Sequence, residues 1–150
     1  MSTVVAGVGA VVTHQFIPGK ILIVEEAKSD PQTGKNIGML SVPAGHLIKG
    51  EDILEAVKRE VLEETGWNIH ITTFLRFYLI KEGALGAVVV ATATKLEANP
   101  LLDEDIRLAS WMSVGEVLQS GKVLRPGMAE ILDDYVSGLR YPLDIIRQCF

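Results

Sequence analysis

Cysteine is almost missing from this 150-residue chain: only Cys149 is present, so no intrachain disulfide can form, and a reducing compartment such as the cytoplasm is expected. Cations are in the minority, with Lys+Arg 14 against Asp+Glu 19 and a formal net charge of -5. That balance argues against a general binder of nucleic acid or anionic membrane, since both need clustered positive charge. It leaves open a small anionic substrate held through a metal. No Lys or Arg precedes Lys20, so the apolar opening MSTVVAGVGAVV lacks the basic flank of a secretion signal, and it is too short to span a bilayer. Its Gly7 and Gly9 have no third glycine opening a helix, which weighs against a dinucleotide-binding turn. Linkers, internal repeats and low-complexity tracts are also missing, and the length suits a single domain over 1–150.

Apolar residues make up 48% of the chain and charged residues 22%, enough for a real core. The patterning predicts strands over 3–13 and 20–26, a polar loop over 28–36, and a short strand in IGMLSVPAG. It predicts a helix over 52–65, then two long strands over 69–82 and 84–96 with a turn at Gly83. The second is nearly all apolar, as a strand covered on both faces would be. After the acidic loop ANPLLDED come a strand in RLASWM and helices in SVGEVLQS and GMAEILDDYVSG, ending before Gly121 and Gly138. Strands on both sides of one helix, with helices at the end, imply a mixed sheet between helical layers.

The helix over 52–65 is unusual. At about 100° per residue from Ile53, Val57, Val61 and Leu54 fall within about 40–100° and form a core stripe. Glu64 falls at about 20°, inside that stripe, Glu60 at about 340° on its margin, and Glu63 at about 280° on its flank, beside Arg59. Buried carboxylates are costly unless paired or metal-bound, and Glu60 and Glu64 repel at i,i+4. A hard divalent cation such as Mg²⁺ reverses both penalties; basic neighbours would do the same. The helix alone does not choose between them.

The wider spacing does. Gly45, five residues, Glu51, seven residues, Arg59-Glu60, then Glu63-Glu64 and Gly66 are seven fixed positions in one register. Chance would produce them at one start with odds on the order of one in 10⁸. They match the signature of the Nudix hydrolases, which this chain therefore resembles. Trp67 stands where that signature has a bulky aliphatic, so altered packing is expected there. The resemblance implies an α/β/α sandwich with a mixed central sheet. It also implies hydrolysis of nucleoside diphosphate derivatives or related organic pyrophosphates with Mg²⁺ or Mn²⁺, in a monomer or homodimer. By position it makes Glu60, Glu63 and Glu64 metal-binding acids, with the Gly45 carbonyl as a further ligand. Arg59 becomes the residue that orients a glutamate, and Glu51 an acid outside the metal's immediate ligands. The proton acceptor would be a box glutamate or an acid of LLDEDI, Glu104 or Asp105.

LIVEE, PAGH and LDDYVSGLRYPLDII further resemble the NudJ-type phosphatase branch, which releases inorganic phosphate from nucleoside di- and triphosphates and from a thiamine-precursor pyrophosphate. That branch usually has a tryptophan just before PAGH, where this chain reads GMLSV. The rivals are a triphosphate or nucleoside-diphosphate-sugar pyrophosphohydrolase and, outside enzymes, a Nudix-fold ligand sensor; the complete set of box acids disfavours the sensor. No proline lies between Pro43 and Pro100, against the ADP-ribose branch, and Tyr78 reads as core rather than as a diadenosine-polyphosphate site. His46, next to the box glycine, would either contact phosphate or a metal-bound water or pack the loop. Arg76, in mid-strand, needs an anion, either an internal carboxylate or a substrate phosphate. His14 and His70 read as surface residues and Trp111 as core. Arg125, Arg140 and Tyr141 either edge the pocket or dock the final segment.

Overall fold

A computed structural model describes residues 3–150. The elements run β1 (Val5–Thr13), β2 (Ile21–Glu26), β3 (Leu40–Ser41), β4 (Ala44–His46), α1 (Ile53–Thr65), β5 (Trp67–Ile80), β6 (Ala84–Leu96), β7 (Ile106–Met112), α2 (Val114–Leu118), α3 (Met128–Val136) and a 3₁₀ turn, Leu143–Ile145. The strands form two sheets. One is four-stranded, β4-β1-β6-β5, mixed because β1 and β6 run parallel; the other is three-stranded and antiparallel, β3-β2-β7. The expected strand in IGMLSVPAG is split into β3 and β4 around Val42-Pro43. Among the described residues no helix is long and apolar enough to cross a membrane.

Strand alternation makes the layers. Val8, Ala10 and Val12 of β1, with Ala87, Val89 and Ala91 of β6, pack beneath Val57 and Val61 of α1. The intervening Val11, Val88 and Val90 face the other way, onto Val117 of α2 and Met128, Ile131 and Leu132 of α3. Both faces are covered, which explains the continuous apolar run of β6. β5 alternates only partly because its pairing with β6 shifts register three times, between Asn68/Ile69, Ile71/Thr73 and Phe74/Arg76. Ile69, Ile71 and Phe74 therefore share the α1 face although their numbers change parity, while Leu75 and Tyr78 face α3. Gly66, at φ 80, ends α1 in the left-handed region and lets β5 begin at once, two residues earlier than expected.

One close approach sets the site. β4 runs antiparallel to β1 with Gly7 opposite His46 and Gly9 opposite Ala44. A Cβ on Gly9 would meet Ala44 Cβ and the Pro43 carbonyl at 3.2 Å, so the two glycines bring β4 close. Both lie inside β1, not at a strand-to-helix turn.

Candidate active site

The acidic helix is fixed at both ends. Asp52 caps it, its carboxylate accepting the N–H groups of Leu54 at 2.8 Å and Glu55 at 3.1 Å. At the far end the Asp103 N–H donates to the Glu63 carbonyl at 2.7 Å, which docks the acidic loop on an orphan helix-end acceptor.

Between the ends, side chains fall as the helical phase predicts. Glu60 and Glu64 are buried, while Glu63 is on the open flank. Glu64 Oε1 accepts the Ala44 N–H at 3.0 Å. The Glu60 carboxylate lies against the Gly45 backbone so tightly that any Cβ at Gly45 would overlap it. Arg59 holds the group together. Its Nε and Nη2 donate to Glu51 at 2.7 and 2.9 Å, its Nη1 to Glu60 at 2.7 Å and Glu63 at 3.3 Å, and its Nη2 also to the His46 carbonyl at 3.2 Å.

A third buried acid belongs to the cluster. Glu26, at the end of β2, is 2% exposed. One oxygen is 3.5 Å from Arg125; the other is 3.6 Å from Lys35, too far for a hydrogen bond. Burial raises all three carboxyls above their ordinary values: Glu60 despite Arg59, Glu26 despite Arg125 and Lys35, and Glu64 most strongly, with the Glu26 and Glu60 charges adding to its burial. The cluster is short of positive charge. No three His, Cys, Asp or Glu side chains among the described residues converge as a finished metal site, and Glu60 is held by Arg59. The donors are nonetheless all hard oxygens, which suits Mg²⁺ or Mn²⁺.

Two clefts meet here. The polar one is walled by Glu60, Glu64, Asp103 and Asp105, with Lys28, Lys35 and Arg125 opposite. The apolar one has Gly7, Gly9 and Gly86 as its floor and Tyr78, Ile80, Val88, Met128 and Ile131 as walls. They share Ala44, Gly45, His46 and Arg125.

Sequence-predicted residues divide accordingly. Gly45, His46, Arg59, Glu60, Glu63 and Glu64 come together. Glu104 does not: it turns outward onto Lys28 at 3.1 Å, and its neighbours Asp103 and Asp105 face the cleft instead. Arg76 is also outside. Its anion is internal, Asp134 of α3 at 3.1 Å, whose other oxygen accepts the Tyr78 hydroxyl at 2.7 Å. Arg140 and Tyr141 dock the final segment; Tyr141 exchanges two backbone hydrogen bonds with Phe74, both 2.8 Å. Arg125 is on the rim of both clefts. His14 is not a free surface residue. It packs at 5.2 and 5.7 Å from Trp67 and Trp111, themselves edge-on at 5.6 Å, and this accounts for the tryptophan at the end of the signature. No sequence pattern marks Lys28, Lys35 or Asp103 as part of the site, and for Glu26 the one signal is the pair of acids closing the apolar strand ILIVEE.

The NUDIX domain model matches residues 4–135. Phosphatase NudJ of Escherichia coli K12 is 34% identical over 132 residues, 85% of this chain and 82% of its own. The solved NUDIX hydrolase from Nitrosomonas europaea superposes with a TM-score of 0.83 at 31% identity, covering 98% of each chain. The NUDIX domain of Shewanella oneidensis NrtR complexed with ADP ribose shares the fold, with a TM-score of 0.70 at 18% identity over 92% of this chain and 90% of that one. The chain belongs to the Nudix family, enzymes that hydrolyse acid anhydrides in phosphorus-containing compounds.

Proposed function

We propose that this chain is a phosphatase-type Nudix enzyme, releasing inorganic phosphate from nucleoside di- or triphosphates or from a related organic pyrophosphate such as a thiamine precursor, with Mg²⁺ or Mn²⁺. The observation that carries it is the adjacency of the two clefts: an acidic pocket also lined by lysine and arginine and an apolar one that share Ala44, Gly45, His46 and Arg125 in their linings. That arrangement suits a molecule with a phosphate chain at one end and an uncharged ring at the other. The similarity to a NudJ phosphatase favours orthophosphate as product.

Glu60, Glu63, Glu64 and the Gly45 carbonyl would hold the cation, which supplies charge against the phosphate oxygens and acidifies water. Lys28, Lys35 and Arg125 bind the phosphate chain, Arg125 exchanging part of its contact with Glu26 for a phosphate oxygen. His46 borders the chain where the clefts join. Arg59 keeps Glu60 and Glu63 aligned until the site is loaded. The attacking water gives its proton to a carboxylate, and two kinds face the cleft: Glu64 from the helix, and Asp103 or Asp105 from the loop.

The test is a panel of nucleotides and organic pyrophosphates assayed with Mg²⁺ and scored for orthophosphate against pyrophosphate. Orthophosphate is expected, with activity abolished by EDTA and restored by Mg²⁺. Turnover persisting in excess EDTA overturns the metal role; pyrophosphate plus monophosphate moves the chain to the pyrophosphohydrolase class.

A further inference from the structure

The first turn of α1 has one backbone donor that its own cap does not satisfy. Asp52 takes Leu54 and Glu55 with a side-chain oxygen, and its carbonyl takes Ala56 at 2.8 Å. The Ile53 N–H remains, as a residue right at a helix start must. Gln148, 95 residues away, fills it: Oε1 accepts Ile53 N–H at 2.7 Å, and Nε2 donates to the free Asp52 oxygen at 2.5 Å. The segment is brought there by Tyr141 on β5 and by Leu143 and Ile146, which pack against the same apolar cluster as Ile53 and Leu54. This amide contact is also the foremost reason the Asp52 carboxyl lies below its ordinary value.

The geometry points to Gln148 as a positioning residue for hydrolysis: by closing the start of α1 it fixes Asp52 and the adjoining Glu51, and through Glu51 it sets Arg59 and the acids that Arg59 holds. The chain of contacts is continuous. Glu51 precedes Asp52, is tied to the Ile48 N–H at 3.2 Å, and receives two hydrogen bonds from Arg59, which also grips Glu60, Glu63 and the His46 carbonyl. The inference rests on the functional reading of those acids given above.

A swap isolates it. Gln148→Glu sets two carboxylates face to face. Asp52→Asn keeps a good cap but turns a donor toward the Gln148 donor. The double variant restores both contacts: the side-chain bond between positions 52 and 148 runs with donor and acceptor exchanged, the Ile53 N–H still donates to residue 148, and Asn caps as well as Asp. In the full chain, phosphate release from a nucleoside triphosphate is followed against Mg²⁺ concentration, well below each variant's melting temperature, alongside hydrogen exchange at Ile53. Gln148→Glu is expected to lose about tenfold in kcat and need more Mg²⁺ for half-activation. The double variant is expected within about twofold of the parent, with Ile53 protection recovered. A Gln148→Glu variant that matches the parent in rate and Mg²⁺ demand overturns the proposal; so does a double variant that recovers its melting temperature but not its rate. Gln148→Ala, which removes both contacts without repulsion, gives the same reading if Gln148→Glu does not fold. A parent with no anhydride hydrolysis but a protected Ile53 amide overturns the functional reading and the positioning role with it. Parental turnover with indifferent variants overturns only the latter.

Discussion

The two ends of α1 carry similar side chains in opposite circumstances. At the start, Glu51 and Asp52 are answered by Arg59, three backbone N–H groups and Gln148, and both carboxyls titrate below their ordinary values. They also suit the positive end of the helix dipole. Toward the end, Glu60, Glu63 and Glu64 stand where the dipole is negative, with no basic residue in the last turn, and the two buried ones titrate high. A protein selected only for stability would avoid the second arrangement. The first end builds the helix; the second carries buried acids that the chain answers only in part, which is what the proposed cation would complete.

The comparison breaks most sharply at Glu64. Glu64→Gln keeps an acceptor for the Ala44 N–H but loses the charge. It is expected to cut turnover at least about 100-fold, with the melting temperature of the metal-free protein unchanged or higher; phosphate release and a thermal melt check this. Near-parental rates would refute the assignment. Gly45→Ala comes next: its methyl overlaps the Glu60 carboxylate, so turnover is expected to fall about tenfold and stability by about 1–3 kcal/mol, read by the same assay and by denaturant unfolding. Asp52→Ala breaks the other end and is expected to cost about 1 kcal/mol, seen in denaturant unfolding.

Acid and base should also act oppositely on the two ends. Asp52 has a depressed value when folded, so its contribution is complete above the ordinary 3.8 and is lost as pH falls through the folded value. Glu64 is raised when folded, so the folded state holds the extra proton, and metal-free stability declines as pH rises from the ordinary 4.5 toward the folded value. Melts across mildly acidic to neutral pH are expected to show this decline without Mg²⁺ and a flatter profile with it. The smallest effect is expected at Arg76→Ala, where losing a half-exposed pair with Asp134 costs about 0.5 kcal/mol and leaves the rate unchanged.

What could be read in advance follows the range of the interactions. The phase of α1 is local, so the inward turn of Glu60 and Glu64 was visible in a helical wheel, and seven spaced residues identified the family. The layer order followed from apolar runs. Bulges are not written in a pattern, so β5 kept its facing hidden. Arg76 plainly needed an anion, but its Asp134 partner is 58 residues on, and sequence could not separate that carboxylate from a substrate. Asp103-Glu104-Asp105 is anchored at both ends by long-range backbone bonds, Asp103 N–H to the Glu63 carbonyl and Ala27 N–H to the Asp105 carbonyl, which no spacing rule supplies. Gln148 was invisible for the same reason.

The strip Ala44–His46 is only three residues long and forms part of both clefts. On the proposed function, a ligand seated in both would straddle it, and the strip would act as a ruler: the tether between ring and phosphorus would fix which atom rests above the carboxylates. Compounds one phosphate shorter or longer would present a different linkage to the same acids, and the identity of the cleaved bond would be set by length before any base or sugar is inspected.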